Sequence, residues 1–212
     1  MGRDKGLLDF GGVPLIVRSA RLIEPLVACV TVVGPLRRYS AMGLRAIADQ
    51  GAAGQGSKGN RRGPLAGIAA ALAATRLPWN LIVACDLPYL SAAWLDWLLS
   101  RASRSRGQVV IPRTGRGLEP LAAVYRRECG APIASALARG ARKVTDVIEK
   151  LRMDVVYERE WRRVDPGALV LKNMNTPEDY DEARKWWRTE RRREGEHVGK
   201  VRQARKGISR IY

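Results

Sequence analysis

A single histidine, His197, and three cysteines are all that the chain offers of the residue types that most often build metal cages and nucleophilic triads. One imidazole, placed in a polar tail, excludes both a His-based metal cluster and a Ser-His-Asp arrangement. Cys29, Cys85 and Cys129 are odd in number, far apart and set in apolar contexts. That pattern fits buried free thiols in a reducing cytoplasm. Long hydrophobic runs are absent as well: no apolar stretch approaches the ~20 residues a membrane helix requires. The polar first residues carry no apolar h-region, so no secretory signal is read and no membrane partner is expected. Acidic residues are scarce, 21 against 38 Lys and Arg, for a formal charge of +17.

What remains is a chain of 212 residues with 46% apolar content, enough to bury one core. The positive excess invites a nucleic-acid reading. Much of it, however, is concentrated in the end segment "EARKWWRTERRREGEHVGKVRQARKGISRIY". No helix-turn-helix, zinc or aromatic stacking signature accompanies it, so nucleic acid is not the expected partner. The Trp186–Trp187 pair falls on the last helical pattern, where packing onto the body explains it better than base stacking. A basic rim also suits anionic small substrates such as nucleotides. We divide the chain into one domain over 1–188 and a basic, mobile tail over 189–212.

Runs of β-branched residues alternate with helical patterns. "ACVTVVG" (28–34) ends in Gly and Pro and reads as a buried strand, and "NLIVACD" (80–86) is the clearest strand of the chain. "LRAIAD" (44–49), "QVVIP" (108–112), "EPLAAVYRR" (119–127), "MDVVYE" and "ALVLKN" supply further strand patterns. Helices are predicted over 64–75, 91–102 with Ser91 as N-cap, 131–140, 143–151 and from "TPEDY" onward. Such alternation predicts an α/β three-layer sandwich, Rossmann-like, with a mostly parallel sheet whose ligands bind beyond the carboxyl ends of strands. The glycine-rich stretch "DQGAAGQGSKGNRRG" (49–63) is the one long loop of the body.

Chemistry is therefore sought at the strand ends. In "CDLPYL", Asp86 closes its strand and Pro88 stops it; a single carboxylate there is enough to hold Mg²⁺ together with substrate phosphates, although an Asx-turn explains it equally well. The opening "MGRDKGLL" reads as the second half of a phosphate-binding loop, with Lys5 to neutralise phosphate and Gly2 to admit backbone close to it. Gly63 and Gly67 flank a helix start whose amides favour an anion or nucleotide edge, or else pack the helix tightly on the sheet. In "LKNMNTPEDY", Thr176 and Pro177 start a helix, while Asn173 and Asn175 alternate onto one side of an extended segment, to hold ligand oxygens or to tie down a turn.

In order, "MGxDKxLL", "GPLAGI", "CDxP", "EPLxAxY" and "NxNTPED" resemble the molybdenum cofactor guanylyltransferase family, over roughly residues 1–186. The resemblance implies a Mg²⁺-dependent transfer of GMP from GTP to the phosphate of molybdenum-molybdopterin, with pyrophosphate released. It implies Lys5 and Asp86 as catalytic groups, Asp86 as metal ligand, and Lys5, Asp49, Gly63, Gly67 and Asp86 as nucleotide contacts. Arg142, Lys143, Asn173 and Asn175 match positions on the acceptor side. Proteins that receive the finished cofactor are candidate partners. One position departs: Gly34 of "VVGPLRR" stands where the family often has Asn, which removes a side-chain contact to ribose or base.

The family motif normally begins with a strand and "LAGGxSxR", and this chain opens at the following Met, so the first strand is expected to be missing from the sheet. Neighbouring strands then lose ladder partners, at on the order of 1–3 kcal/mol for each unmet buried group. Rival readings are a cytidylyltransferase for the same pterin, a guanylyltransferase for another phosphorylated acceptor, a nucleic-acid-binding protein, and an inactive fragment. The chain as it stands is expected to be unstable or weakly active; full guanylyltransferase turnover from the purified 212-residue protein would contradict this.

Overall fold

The computed structural model describes residues 4–48 and 63–189. Segments 1–3, 49–62 and 190–212 lie outside the described residues, and with them Gly2, Asp49, most of the glycine-rich loop and nearly all of the basic tail.

In chain order the elements are α1 (Leu15–Ile23), β1 (Val32–Val33), α2 (Leu36–Ser40), β2 (Ala46–Ile47), α3 (Gly63–Ala73), β3 (Trp79–Val83), α4 (Ala92–Arg104) and β4 (Val109–Thr114). They continue with β5 (Gly117–Leu118), β6 (Ala122–Arg126), α5 (Gly130–Ala138), α6 (Val144–Ile148), β7 (Met153–Val156) and α7 (Glu158–Trp161). A further helix, α8, runs over 177–189. A 3-10 turn, Lys5–Leu7, precedes α1.

The expected α/β sandwich is present. Its layering follows from the two-residue period of strands, which sends successive side chains to opposite faces. Val109, Ile111, Ala123 and Tyr125 join Leu65, Ile68 and Leu72 of α3 and Ile133 of α5 in one core. Val110, Ala122, Val124 and Val156 join Trp94, Leu95 and Leu98 of α4 and Trp161 of α7 in a second core on the other face. A third cluster, Phe10, Leu15, Tyr89, Met174 and Ala183, docks α8 on the N-terminal segment.

The ladder is more mixed than alternation alone suggests. The large sheet has the order β3-β6-β4-β5, with β7 pairing β4. β3–β6, β4–β6 and β4–β5 pair antiparallel, and β4–β7 parallel. β3, β4 and β7 thus share one direction, with β6 inserted against them, because the chain returns from β4 through the short β5 turn instead of a crossover helix. β1 and β2 form a separate parallel pair. Among the described residues no strand pairs the second edge of β3, and its side chains are all only half-buried, although helices cover both its faces.

Several local features follow from sequence. Ser91 caps α4 by accepting from the Trp94 amide, as expected. α1, not anticipated, lies between Pro14 and the Glu24–Pro25 stop, with Leu15, Ser19 and Ala20 buried on one face. "ACVTVVG" forms a strand only at Val32–Val33, with Ala28 and Cys29 exposed. "ALVLKN" is no strand: Asp165 accepts from the Val170 amide at 2.8 Å and the chain turns through Ala168 at φ 52°, so Val170 and Leu171 reach the core without a ladder. No helix among the described residues is long and apolar enough to cross a membrane.

α8 is held by aromatic contacts. Trp186 meets Tyr89 edge-on at 5.1 Å, and Tyr180 meets Phe10 at 5.6 Å. Trp187 lies over Gly11, whose φ of 71° is left-handed and whose missing side chain makes room for the indole. Gly11→Ala therefore both strains the turn and displaces Trp187. We expect a loss of about 1–3 kcal/mol with red-shifted tryptophan emission, checked by thermal melting and fluorescence.

Candidate active site

The carboxyl end of β3 positions the first candidate side chain, Asp86. The Ala84 amide still donates to Leu121 at 2.8 Å, and the chain then turns, leaving Asp86 at the tip. The Asp86 carbonyl accepts from the amide of Met174 at 2.9 Å, which fastens the segment ahead of α8 to the end of β3. Met174 is fully buried while Asn175 is exposed, the alternation expected of an extended segment. α8 then starts on a strong cap. The Asp179 carboxylate accepts from the Asn175 and Thr176 amides at 2.8 and 2.9 Å, and the Asp179 amide donates to the Thr176 hydroxyl at 3.1 Å. These bonds from the Asn175 and Thr176 amides hold the Asp179 carboxyl below the usual carboxylate range.

Lys5 closes the group. Its Nζ donates to Asn175 Oδ1 at 2.7 Å and lies 3.3 Å from Asp86 Oδ2. Two of the predicted site residues, 81 and 170 positions from Lys5, thus meet at its ammonium. The side chains of Lys5 and Asp86 are 26% and 25% exposed, so the pair is open to a ligand from solvent. An ammonium has three donors, and two are engaged here.

The remaining predicted residues are distributed differently. Asn173 is half-buried two residues from Asn175. Gly63 is exposed at the start of α3 with φ 69°, a left-handed backbone that favours glycine. A Cβ at Gly67 would meet no atom of the described residues within 4 Å, so among these no close packing requires a glycine there. The helix they open packs against both β1 and β3. Arg142 and Lys143 are exposed on the turn between α5 and α6, where Lys143 lies 3.3 Å from Asp146; no contact joins them to Lys5 or Asp86 among the described residues. Asp49 falls outside the described residues.

Sequence reasoning missed a second polar group beside the first. Asp4 accepts from the Gly6 amide, the Tyr39 hydroxyl and Arg38 Nη1 at 3.1, 3.2 and 3.3 Å. The Asp-x-Gly spacing of Asp4 and Gly6 was the available signal for a side-chain cap. Tyr39 carried no signal, since it reaches Asp4 only through the fold. Next to this group an open depression of about 690 Å³ is lined by Gly34, Pro35, Leu36, Arg37, Arg38 and Ala48. Its size is in the range of small-ligand pockets.

The donor set can be tested against a divalent metal. No cluster of three or more His, Cys, Asp or Glu side chains exists among the described residues. Mg²⁺ typically takes one or two carboxylates and completes its shell with water and substrate phosphate. Asp86, a partly exposed carboxylate beside a phosphate-complementary ammonium, fits that shared mode.

Comparison with known proteins places the chain in a family. The family described as "MobA-like NTP transferase domain" matches residues 1–155. A Pseudomonas aeruginosa protein named molybdenum cofactor guanylyltransferase is 35% identical over 179 residues, covering 84% of each chain. The crystal structure of molybdopterin-guanine dinucleotide biosynthesis protein A from Archaeoglobus fulgidus superposes with a TM-score of 0.72 at 23% identity, over 87% of this chain and 90% of that one. The 2-C-methyl-D-erythritol 4-phosphate cytidylyltransferase of Thermus thermophilus shares the fold at a TM-score of 0.63 and 18% identity, covering 87% of this chain and 93% of that one.

One residue of the strand end is kept silent by its surroundings. Burial, and then the neighbouring Asp86 charge, push the Cys85 thiol up to about 11. Burial does the same for Cys129, also to about 11. Because the thiolate is the reactive form and a raised pKa empties it at neutral pH, iodoacetamide at pH 7.5 is expected to label the exposed Cys29 and spare Cys85 and Cys129. Peptide mass spectrometry checks this, and Cys85 should become reactive only as pH climbs toward its raised value.

Proposed function

The chain belongs to the MobA-like NTP transferase family, and from that premise we propose that it moves GMP from GTP onto the terminal phosphate of molybdenum-molybdopterin, releasing pyrophosphate. The observation that carries this reading is the convergence of Lys5, Asp86 and Asn175 at the carboxyl end of β3. An acceptor phosphate oxygen attacks the α-phosphorus, the α–β anhydride bond breaks, and its electron pair leaves on pyrophosphate. No covalent enzyme intermediate is needed, so catalysis reduces to alignment and charge neutralisation of two polyanions.

Each residue then has a defined task. Lys5 offers a fixed positive charge to the polyphosphate, placed before the substrate arrives. Asp86 would hold Mg²⁺ jointly with substrate phosphate; the bound ion supplies Lewis-acid polarisation and offsets charge on the leaving group. Asn175 orients the Lys5 ammonium and, with Asn173, presents amide groups to the acceptor. Gly63 and Gly67 leave the start of α3 open to a nucleotide edge. The depression beside Gly34 and Arg38 accommodates the nucleoside end, with Asp49 following its lining residue Ala48 in the chain. Arg142 and Lys143 serve the acceptor phosphate as exposed cations.

The competing nucleic-acid reading finds no support in the Trp186–Trp187 pair, since both rings are spent on docking α8. Asp86→Ala is expected to lower Mg²⁺-dependent pyrophosphate release from GTP by roughly 100-fold or more. Turnover that survives the substitution refutes the metal assignment. In the same preparation, Mg²⁺ with GTP should raise the melting temperature more than Mg²⁺ with CTP; the reverse order would assign a cytidylyltransferase.

A further inference from the structure

Asp4 and Tyr39 form a hydrogen-bonded pair one residue away from Lys5. Asp4 caps the 3-10 turn Lys5–Leu7 by accepting from the Gly6 amide at 3.1 Å. The Tyr39 hydroxyl, from α2, lies 3.2 Å from both oxygens of the same carboxylate, and Arg38 adds an ion pair at 3.3 Å. The Tyr39 ring is only 5% exposed. Two glycines make room for it: a Cβ at Gly34 would stand 2.7 Å from its Cε2, and one at Gly6 3.2 Å from its hydroxyl. An isolated three-residue 3-10 turn is marginal, and the four-carbon stem of lysine is intrinsically mobile. The turn that carries Lys5 therefore needs an external anchor, and Asp4 with Tyr39 supplies one from a different element.

We infer that Tyr39, acting through Asp4, is a positioning residue that aims Lys5 at Asp86 and Asn175, and that position 34 is glycine so that the Tyr39 ring can occupy that place. The absence of a larger side chain after β1 thus serves the phosphate end of the site rather than the base. Burial, reinforced by the Asp4 charge, raises the Tyr39 phenol well above its ordinary pKa, so the hydroxyl retains the proton it donates.

The test uses Tyr39→Phe, which keeps the ring and removes the donor, and reads it in two ways. Trace acylation of the folded protein followed by mass spectrometry gives the relative reactivity of each lysine. In the unaltered protein Lys5 should react more slowly than the exposed Lys150. In Tyr39→Phe the Lys5 rate should rise toward that of Lys150, and Gly34→Asn, which displaces the ring, should do the same. An unchanged Lys5 rate in Tyr39→Phe overturns the inference, whatever the protein catalyses. The kinetic arm rests on the guanylyl-transfer reading. Tyr39→Phe should lower kcat/KM for GTP about tenfold, yet change nothing further in a Lys5→Ala background. Equal losses in both backgrounds would mean a general loss of structure and also overturn it. A protein that turns over no GTP at all defeats the functional reading, while the acylation rates still decide this one.

Discussion

The ammonium of Lys5, shared between Asp86 and Asn175, is the contact on which the arrangement of the site depends. A partly exposed ion pair of this kind adds little to stability, because solvent screens it and a long side chain must be held still. Its value lies in geometry. Each partner is fixed by its own device: Asp86 by the end of β3 and the Met174 amide, Asn175 by the Thr176–Asp179 cap, Lys5 by Asp4 and Tyr39. Charge that is oriented before the ligand arrives costs no reorganisation later, which is the physical content of preorganisation.

The sheet explains why these devices meet. β3 pairs β6 in a register running from Trp79 opposite Arg126 to Val83 opposite Ala122, so the position of its carboxyl end is set by five residue pairs. α3 covers one face and α4 the other, and both β3 and the small β1–β2 pair lie against α3. The turn carrying Lys5 joins the two sheets: through Asp4 it holds α2, which follows β1, and through Lys5 it holds the end of β3. The contacts that assemble the site also help to bind the two strand groups together.

Much of this was legible in the chain. The apolar run before Asp86, the cap at Ser91 and the Thr-Pro start of α8 are local patterns, decided by residues within a turn of each other, and they hold in the structure. The residues Lys5, Asp86 and Asn175 are marked out by the order of the motifs that carry them, since each alone has an ordinary structural explanation as a solvated pair, an Asx-turn or a tied-down turn. Losses came where long-range packing decides. Val170 and Leu171 look like a strand and are buried like one, but Asp165 captures the Val170 amide and bends the chain. Most of "ACVTVVG" forms no ladder, because ladder formation needs a partner and not only β-branched residues. Tyr39 could not be found at all, since its role rests on a partner 35 positions away.

The strong positive charge finds a structural use in the body of the protein. Arg18 donates to the Pro88 carbonyl, Arg116 to that of Leu171, and Arg126 to those of Gly107 and Ser105. Arg101 spans Asp154 and Glu160, tying α4 to β7 and α7, and its hydrogen bonds to Asp154 raise the guanidinium pKa further. A guanidinium presents several donors in a fixed plane and remains charged, so it suits carbonyls left over at turns and strand ends. Two of these anchors act directly on the functional region. Arg18 steadies the turn after Asp86, and Arg116 steadies the segment that leads to Asn173 and Asn175. Within the described residues, part of the basic excess is thus the means by which irregular chain is held still around the candidate site.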